Sequence, residues 1–429
     1  MPKTFLIQHL ETHGEGVAFD EGKQVFIPGA LPGESVIAES VTEKKNYKTA
    51  KLLQILTPSP DRITPPCPVF GLCGGCQLQH VAYAAQLELK RKRVVDALGK
   101  NVFVAPTLPS PKPFGYRNKM LLPVDKNHVI GLYAIRSHDV INIGTCLVHC
   151  PLGEKVFQKI KELLGPVTEN LRHVLIKSAV HEGECLVVFV TDGAPTEGLR
   201  QAAKKLQKIC PEVKGVLANC NTSKENVILS NRWQTLSGQE AIYETIAGLK
   251  FKVSPASFFQ VNPFQAQTLY TEALAFADIQ PGERVLDAYC GVGSLTLQIA
   301  RKAKEVVGIE YVPKSIEDAK ENGVNNAIEN ILWIAAAVED ALAAGIGPID
   351  KAILNPPRKG CESTALAALG SYAPKRIVYL SCSPATLARD AAVLQDFGYT
   401  LQKAQPIDMF PQTTHVETVA LFKRQSTPE

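Results

Sequence analysis

The sequence predicts a multidomain α/β protein. It should hold a small N-terminal OB-like β-barrel, a central α+β region entered through a cysteine-rich loop, and a C-terminal doubly wound α/β domain. Three observations carry this. Residues 4–56 read as short alternating strands cut by glycine. CPVFGLCGGC, residues 67–76, follows a proline-rich linker, TPSPDRITPPCP. From about residue 251 the pattern becomes strand, glycine turn and helix, repeated.

In chain order, FLIQHL, GVAFD, QVFIPGA, ESVIAESV and YKTAKLLQIL are the five barrel strands, so residues 1–60 form the first unit. Residues 61–250 form the second. A helix over 81–98 opens it and is placed to pack on the catalytic domain. HVLIKSAV, ECLVVFVTD and GVLANCNT read as strands, and EGLRQAAKKLQKI as a helix. Residues 251–429 form the third, with strand ends at RVLDAYCGVG, VVGIEYV, NILWIAAAV, KAILNPP and RIVYLSCSP.

Length and composition agree. A chain of 429 residues divides into two or three domains. With 45% hydrophobic and 21% charged residues it is not a disordered chain. No apolar run reaches membrane-span length, and MPKTFLIQHLETHGEG lacks the order of a secretory signal. A cytoplasmic protein is expected, monomeric, with its 11 cysteines reduced. Charge is uneven. Residues 61–150 carry 11 Lys+Arg against 5 Asp+Glu. That excess, including LELKRKRVVDAL, suits either an RNA-binding face or a solvated basic helix.

The C-terminal domain carries the chemistry. In RVLDAYCGVGSLTLQIA, Gly291 and Gly293 let the backbone approach a ligand, and Asp287 lies at the strand end. Thr296 stands where a dinucleotide fingerprint would place a third glycine. Glu310 ends the next strand, where it can hold two ribose hydroxyls. This combination resembles S-adenosylmethionine-dependent methyltransferases. NPPR, residues 355–358, is similar to the turn of amino methyltransferases but has Arg358 where their stacking aromatic stands. Cys382, between strand RIVYL and a proline-started helix, is the candidate nucleophile. A helix N-terminus is expected to lower its pKa. Thiolate addition at carbon 6 of a pyrimidine activates carbon 5 towards methylation. A base must then remove the carbon 5 proton, and DMFPQTTHVETVALF offers His415 and Glu417.

Taken together, CPVFGLCGGCQLQH, GYRNKM, NTSKENVIL, VSPASFFQVNP, DAYCGVGSLTL, NPPRKG, YLSCSPATLARD and FPQTTHVE resemble the RNA 5-methyluridine (uracil-5-) methyltransferase family over essentially the whole chain. The likeness is to the bacterial 23S ribosomal RNA branch, with a TRAM barrel and a [4Fe–4S] cluster. It implies Cys382 as nucleophile and Glu417 as general base. It also implies cofactor contacts from Gln260, Tyr289, Ser294, Glu310 and the glycine turn, with Asp287 and Asn355 beside them. Cys67, Cys73, Cys76 and Cys146 match the cluster ligands, with Cys150 a rival for the fourth place. Spacing alone admits zinc as readily as iron. The resemblance implies that the cluster braces the RNA-binding central domain.

Two positions depart from the family. Asn355 replaces an Asp, and Ala337 falls where a polar cofactor contact is expected, leaving the adenine to Glu339 or Asp340. Arg117, Lys119, Arg358 and Lys359 are candidate RNA contacts. Phe258 and Phe259 are read as core, and Cys185, Cys210, Cys220, Cys290 and Cys361 as structural thiols. Three functions stay open: methylation of 23S ribosomal RNA, the same chemistry on a transfer RNA T-loop, and a catalytically weakened RNA-binding or chaperone module.

Overall fold

The order of one eight-stranded sheet positions the rest of the chain. The computed structural model describes residues 1–164, 169–223, 225 and 227–425, so Lys224 and Asn226 of the NTSKENVIL motif lie outside the described residues. Five parallel strands run in the order Ile331–Ala335, Glu305–Glu310, Arg284–Ala288, Lys351–Leu354 and Arg376–Ser381. Glu417–Arg424 pairs antiparallel with Arg376–Ser381, and Tyr399–Ile407 antiparallel with Glu417–Arg424. Phe103–Val104 ends the sheet, parallel to Tyr399–Ile407.

The parallel strands are apolar on both faces because helices cover both. Val285, Val306, Ile353 and Val378 share one core with the helix Pro263–Ala277. Their neighbours Leu286, Val307, Leu354 and Tyr379 face Val338–Ala344, Ser363–Tyr372 and Pro384–Asp396. The strand order reverses between Arg284–Ala288 and Lys351–Leu354, so a cleft opens at their carboxyl ends.

The central sheet runs Trp233–Gly238, Val213–Cys220, Glu184–Thr191, Leu171–Ala179, Lys119–Pro123. Its helix Glu197–Ile209 forms where the sequence places it. Thr196 caps it, accepting from the Leu199 N–H, and Leu199, Ala202, Ala203 and Leu206 fall on one buried face. The other face of this sheet shares a core with Pro263–Ala277.

Two expectations change. The N-terminal sheet has six strands rather than five, because FLIQHL is divided: Pro2–Leu6 pairs with Ser35–Glu43, and His9–Leu10 with Gly16–Asp20. The two edge strands of the sheet are thus two parts of one segment. The basic helix Tyr83–Leu98 is neither wholly solvated nor wholly an RNA face. Lys90 is 1% exposed and pairs with Asp408, at 0%. With Phe103–Val104, this helix is built onto the C-terminal sheet, which fixes residues counted with the central region to the catalytic one. Among the described residues no helix is long and apolar enough to cross a membrane.

Candidate active site

A cleft of about 880 Å³ opens at the sheet's switch point. Its cofactor side is made by strand ends. Gly291 lies in the left-handed region at φ 57°, with open space where a side chain would be, so a ligand can approach its backbone. The Gly291 N–H donates to Glu310 Oε2 (3.1 Å), and the Val312 N–H to Glu310 Oε1 (2.9 Å). The carboxylate is therefore fixed before any ligand arrives, with lone pairs left for hydroxyls. Tyr289, Gln260, Ala337, Glu339 and Asn355 line the same side. Tyr289 holds φ 64°, a conformation costly for a non-glycine residue and common at ligand sites.

Three residues expected among the cofactor contacts do not line the cleft: Asp287, Gly293 and Ser294. Asp287 lies behind the turn, accepting from Thr296 Oγ1 (2.6 Å), and burial pushes its carboxyl up to about 7. Gly293 faces Trp333, whose ring would meet an added Cβ at 2.8 Å. Ser294 Oγ is hydrogen-bonded to the Tyr270 hydroxyl (2.9 Å). Their observed partners are therefore within the turn and the core beneath it.

The opposite side brings together Cys382, Glu417, His415 and Arg358. Burial pushes the Glu417 carboxyl up to about 8, with Arg358 opposing. The Cys382 thiol is pushed up to about 11 by burial and by Glu417, again against Arg358. This corrects the expectation of a lowered thiol. The helix after Cys382 begins with Pro384, which has no N–H, and the Thr386 N–H is taken by the Ser383 side chain. The helix end therefore has little to offer a thiolate. His415 is held to about 4 by burial and surrounding cations, so it stays neutral.

Two cleft residues were undervalued in the sequence. Arg358 makes no salt bridge among the described residues and faces both Cys382 and Glu417. Its place after the N-P-P turn is the signal that could have found it. Phe258 is 65% exposed and lines the cleft, whereas Phe259 is 8% exposed and packs in the core.

A second cavity, of about 320 Å³, is lined by Cys67, Cys73, Cys76 and Cys146. Cys150 does not line it; its sulfur accepts from the Gly153 N–H (3.4 Å). Burial raises the Cys73, Cys76 and Cys146 thiols, and nearby cysteines raise them further. Arg117 and Lys119 line the same wall, and Arg117 also reaches the catalytic cleft. Among the described residues no three His, Cys, Asp or Glu side chains converge on a single metal ion. Four thiols with two cations around one cavity fit an anionic cluster.

Comparison with known proteins places the cleft. A methyltransferase-domain family matches residues 279–395. A protein of Halalkalibacterium halodurans named as an RNA methyltransferase is 41% identical over 97% of this chain and 96% of its own. One from Clostridium tetani is 39% identical over 97% and 95%. Among solved structures, a Pyrococcus abyssi tRNA (uracil-54, C5)-methyltransferase in complex with S-adenosyl-L-homocysteine superposes with a TM-score of 0.81 at 28% identity. It covers 98% of this chain and 100% of its own.

Proposed function

The chain belongs to the RNA methyltransferase family, and from that premise we propose that it methylates carbon 5 of a uridine in RNA. The observation that carries this reading is the meeting of Cys382, Glu417 and Arg358 across one cleft from Gln260 and Glu310. S-adenosylmethionine, when bound, supplies an electrophilic methyl sulfonium. Gln260, the Gly291 turn and Glu310 hold it, with Tyr289 and Asn355 beside them. The target base leaves its stack, because neither carbon 5 nor carbon 6 is reachable in paired RNA. Phe258 offers it a ring.

Cys382, as the thiolate, then adds to carbon 6, and the electron pair displaced to carbon 5 takes the methyl group as its bond to the sulfonium sulfur breaks, leaving S-adenosyl-L-homocysteine. Glu417 removes the carbon 5 proton. The carbon 5–carbon 6 double bond re-forms and expels the Cys382 thiolate. Buried carboxyl and buried thiol resist being anions together, and the guanidinium of Arg358 offsets part of that cost for each. Asn355, where the resemblance leads one to expect Asp, lines the same cleft and brings no charge. The amino-methylation reading of NPPR lacks an aromatic at that turn.

Cys67, Cys73, Cys76 and Cys146 are proposed to hold a [4Fe–4S] cluster. When bound it supplies a brace and takes no part in methyl transfer. Residues 1–60 are proposed as a TRAM-like RNA-binding barrel, residues 61–250 as the iron–sulfur and RNA-binding region, and residues 251–429 as the methyltransferase domain. The favoured substrate is 23S ribosomal RNA, from the resemblance of the barrel and cysteine loop to that branch. Transfer RNA is the second reading, favoured by the full-length likeness to the Pyrococcus abyssi enzyme. Mass spectrometry of 23S and transfer RNA from a deletion strain tests both. Loss of a 5-methyluridine from one of them identifies the substrate, and loss from neither contradicts the proposal.

A further inference from the structure

The loop before Glu417 is held to a degree that its own sequence does not explain. Between Met409 and Thr414, five of six carbonyls are tied to groups elsewhere in the chain. Asn262 Nδ2 donates to the Met409 carbonyl (3.1 Å), Lys90 Nζ to that of Phe410 (3.0 Å), and the Tyr116 hydroxyl to that of Pro411 (2.9 Å). The Gln412 carbonyl accepts from the Gln77 and Leu78 N–H groups, both at 2.9 Å. Arg93 donates to the Thr414 carbonyl (2.6 Å).

One helix supplies much of this. Tyr83, Gln86, Lys90 and Arg93 fall at spacings of three, four and three, which places them on one face of Tyr83–Leu98. Such a stripe is ordinarily apolar. Here the Tyr83 hydroxyl donates to Asp408 Oδ2 (2.8 Å), and Lys90 pairs with Asp408 Oδ1. Gln86 accepts from the Gln412 N–H (3.1 Å) and donates to its side-chain oxygen (3.0 Å). A fully buried ion pair is a weak source of stability compared with apolar packing, but it fixes register. Gln412 itself sits at φ 69°, a strained conformation that persists only where its surroundings impose it.

We infer that Gln77–Leu78 and the polar face of Tyr83–Arg93 are a clamp that positions the Met409–Thr414 loop, and through it Glu417, for removal of the carbon 5 proton. Gln77 directly follows Cys76. The cysteine loop therefore reaches the catalytic base through two peptide N–H groups, a role distinct from binding RNA. Gln86 and Arg93 are positioning residues that touch neither cofactor nor base. The inference rests on Glu417 acting as proposed above.

The test uses the full-length protein with Gln86→Leu, Arg93→Met and the conservative Gln86→Glu. Ribosomal 23S and transfer RNA transcripts are the substrates, with 5-fluorouridine versions as traps. Arg93→Met removes only one partly exposed partner, so it decides the matter if Gln86→Leu does not fold. Displacement of a catalytic group by about 1 Å can cost about a hundredfold. Gln86→Leu and Arg93→Met should therefore lower kcat by about tenfold or more. S-adenosylmethionine affinity should stay within about twofold of the parent, the pattern of a loss felt only in the transition state. Both variants should accumulate a covalent RNA adduct during turnover, the behaviour also expected of Glu417→Gln, and Gln86→Glu should recover part of the rate. Unchanged kcat, or cofactor affinity falling in step with rate, overturns the clamp. Absence of an adduct between the unmutated protein and 5-fluorouridine RNA overturns the underlying uridine reading instead.

Discussion

The two sides of the catalytic cleft are assembled in different ways. The cofactor side comes mainly from strand ends of a single sheet, each placed by a local strand–turn–helix sequence. Glu310 needs little more than the Gly291 turn on the neighbouring strand to be fixed. The base side needs the whole chain. Glu417 enters on an antiparallel strand inserted into the sheet, and its loop is held by residues 77–116, about three hundred positions earlier. On the proposed reading, local geometry places the cofactor side, whereas the position of Glu417 depends on long-range contacts.

Variants on the two sides should fail differently. The largest effect belongs to Glu417→Gln. It should lower turnover by roughly a hundred- to ten-thousand-fold, the usual worth of a positioned general base. S-adenosylmethionine affinity should be nearly unchanged, and adduct should persist on denaturing electrophoresis. Loss of cofactor binding in that variant would erase the distinction between the two sides.

Glu310→Gln should do the reverse. A charge-assisted hydrogen bond contributes about 1.5–3 kcal/mol, so cofactor affinity should fall about tenfold to a hundredfold. The rate at saturating cofactor should hold, which calorimetry and steady-state kinetics can separate.

Acidity sharpens the contrast further. Glu417 ionises near 8 and Cys382 near 11, so methylation should rise as pH increases from 6 through 8. A rate flat over that range would contradict the assignment. The same carboxyl affects stability with a definite sign. Its folded pKa lies above the ordinary 4.5, so the folded state keeps a proton that the unfolded chain releases. Stability is lost as pH rises from about 4.5 to about 8. Glu417→Gln removes that loss, so its Tm advantage over the parent should grow from pH 5 to pH 8. Asp287, buried and also raised, adds a fall of the same sign in both proteins.

The smallest effect on the cleft itself should come from the second cavity. Anaerobically purified protein should carry about four irons per chain, as a cluster on four cysteines requires. Cys146→Ala should lose them, and Cys150→Ala should keep them. Stoichiometric zinc without iron would remove the cluster from the description.

What was legible in the sequence follows the same division. The parallel strands, the Gly291 turn, Glu310 and Cys382 are written in contiguous stretches whose periodicity and glycine spacing state their geometry. Asp287, Gly293 and Ser294 share that stretch, but the partners they have in the fold, Thr296, Trp333 and Tyr270, are legible only in the packing. The raised Cys382 thiol was missed because burial and the nearby Glu417 are three-dimensional facts. Lys90 read as surface charge because nothing near it in sequence announces Asp408. Arg358 read as an RNA contact because its position between thiol and base depends on where three strands end.

The most direct measurement is covalent trapping. The unmutated protein is incubated with S-adenosylmethionine and RNA carrying 5-fluorouridine, whose fluorine cannot be removed as a proton is. The product is then digested and analysed by mass spectrometry. The expected result is a single peptide spanning Cys382 joined to a methylated fluorouridine, absent from Cys382→Ala. Near-normal methylation of RNA by Cys382→Ala, with no adduct from the unmutated protein, would contradict the covalent mechanism.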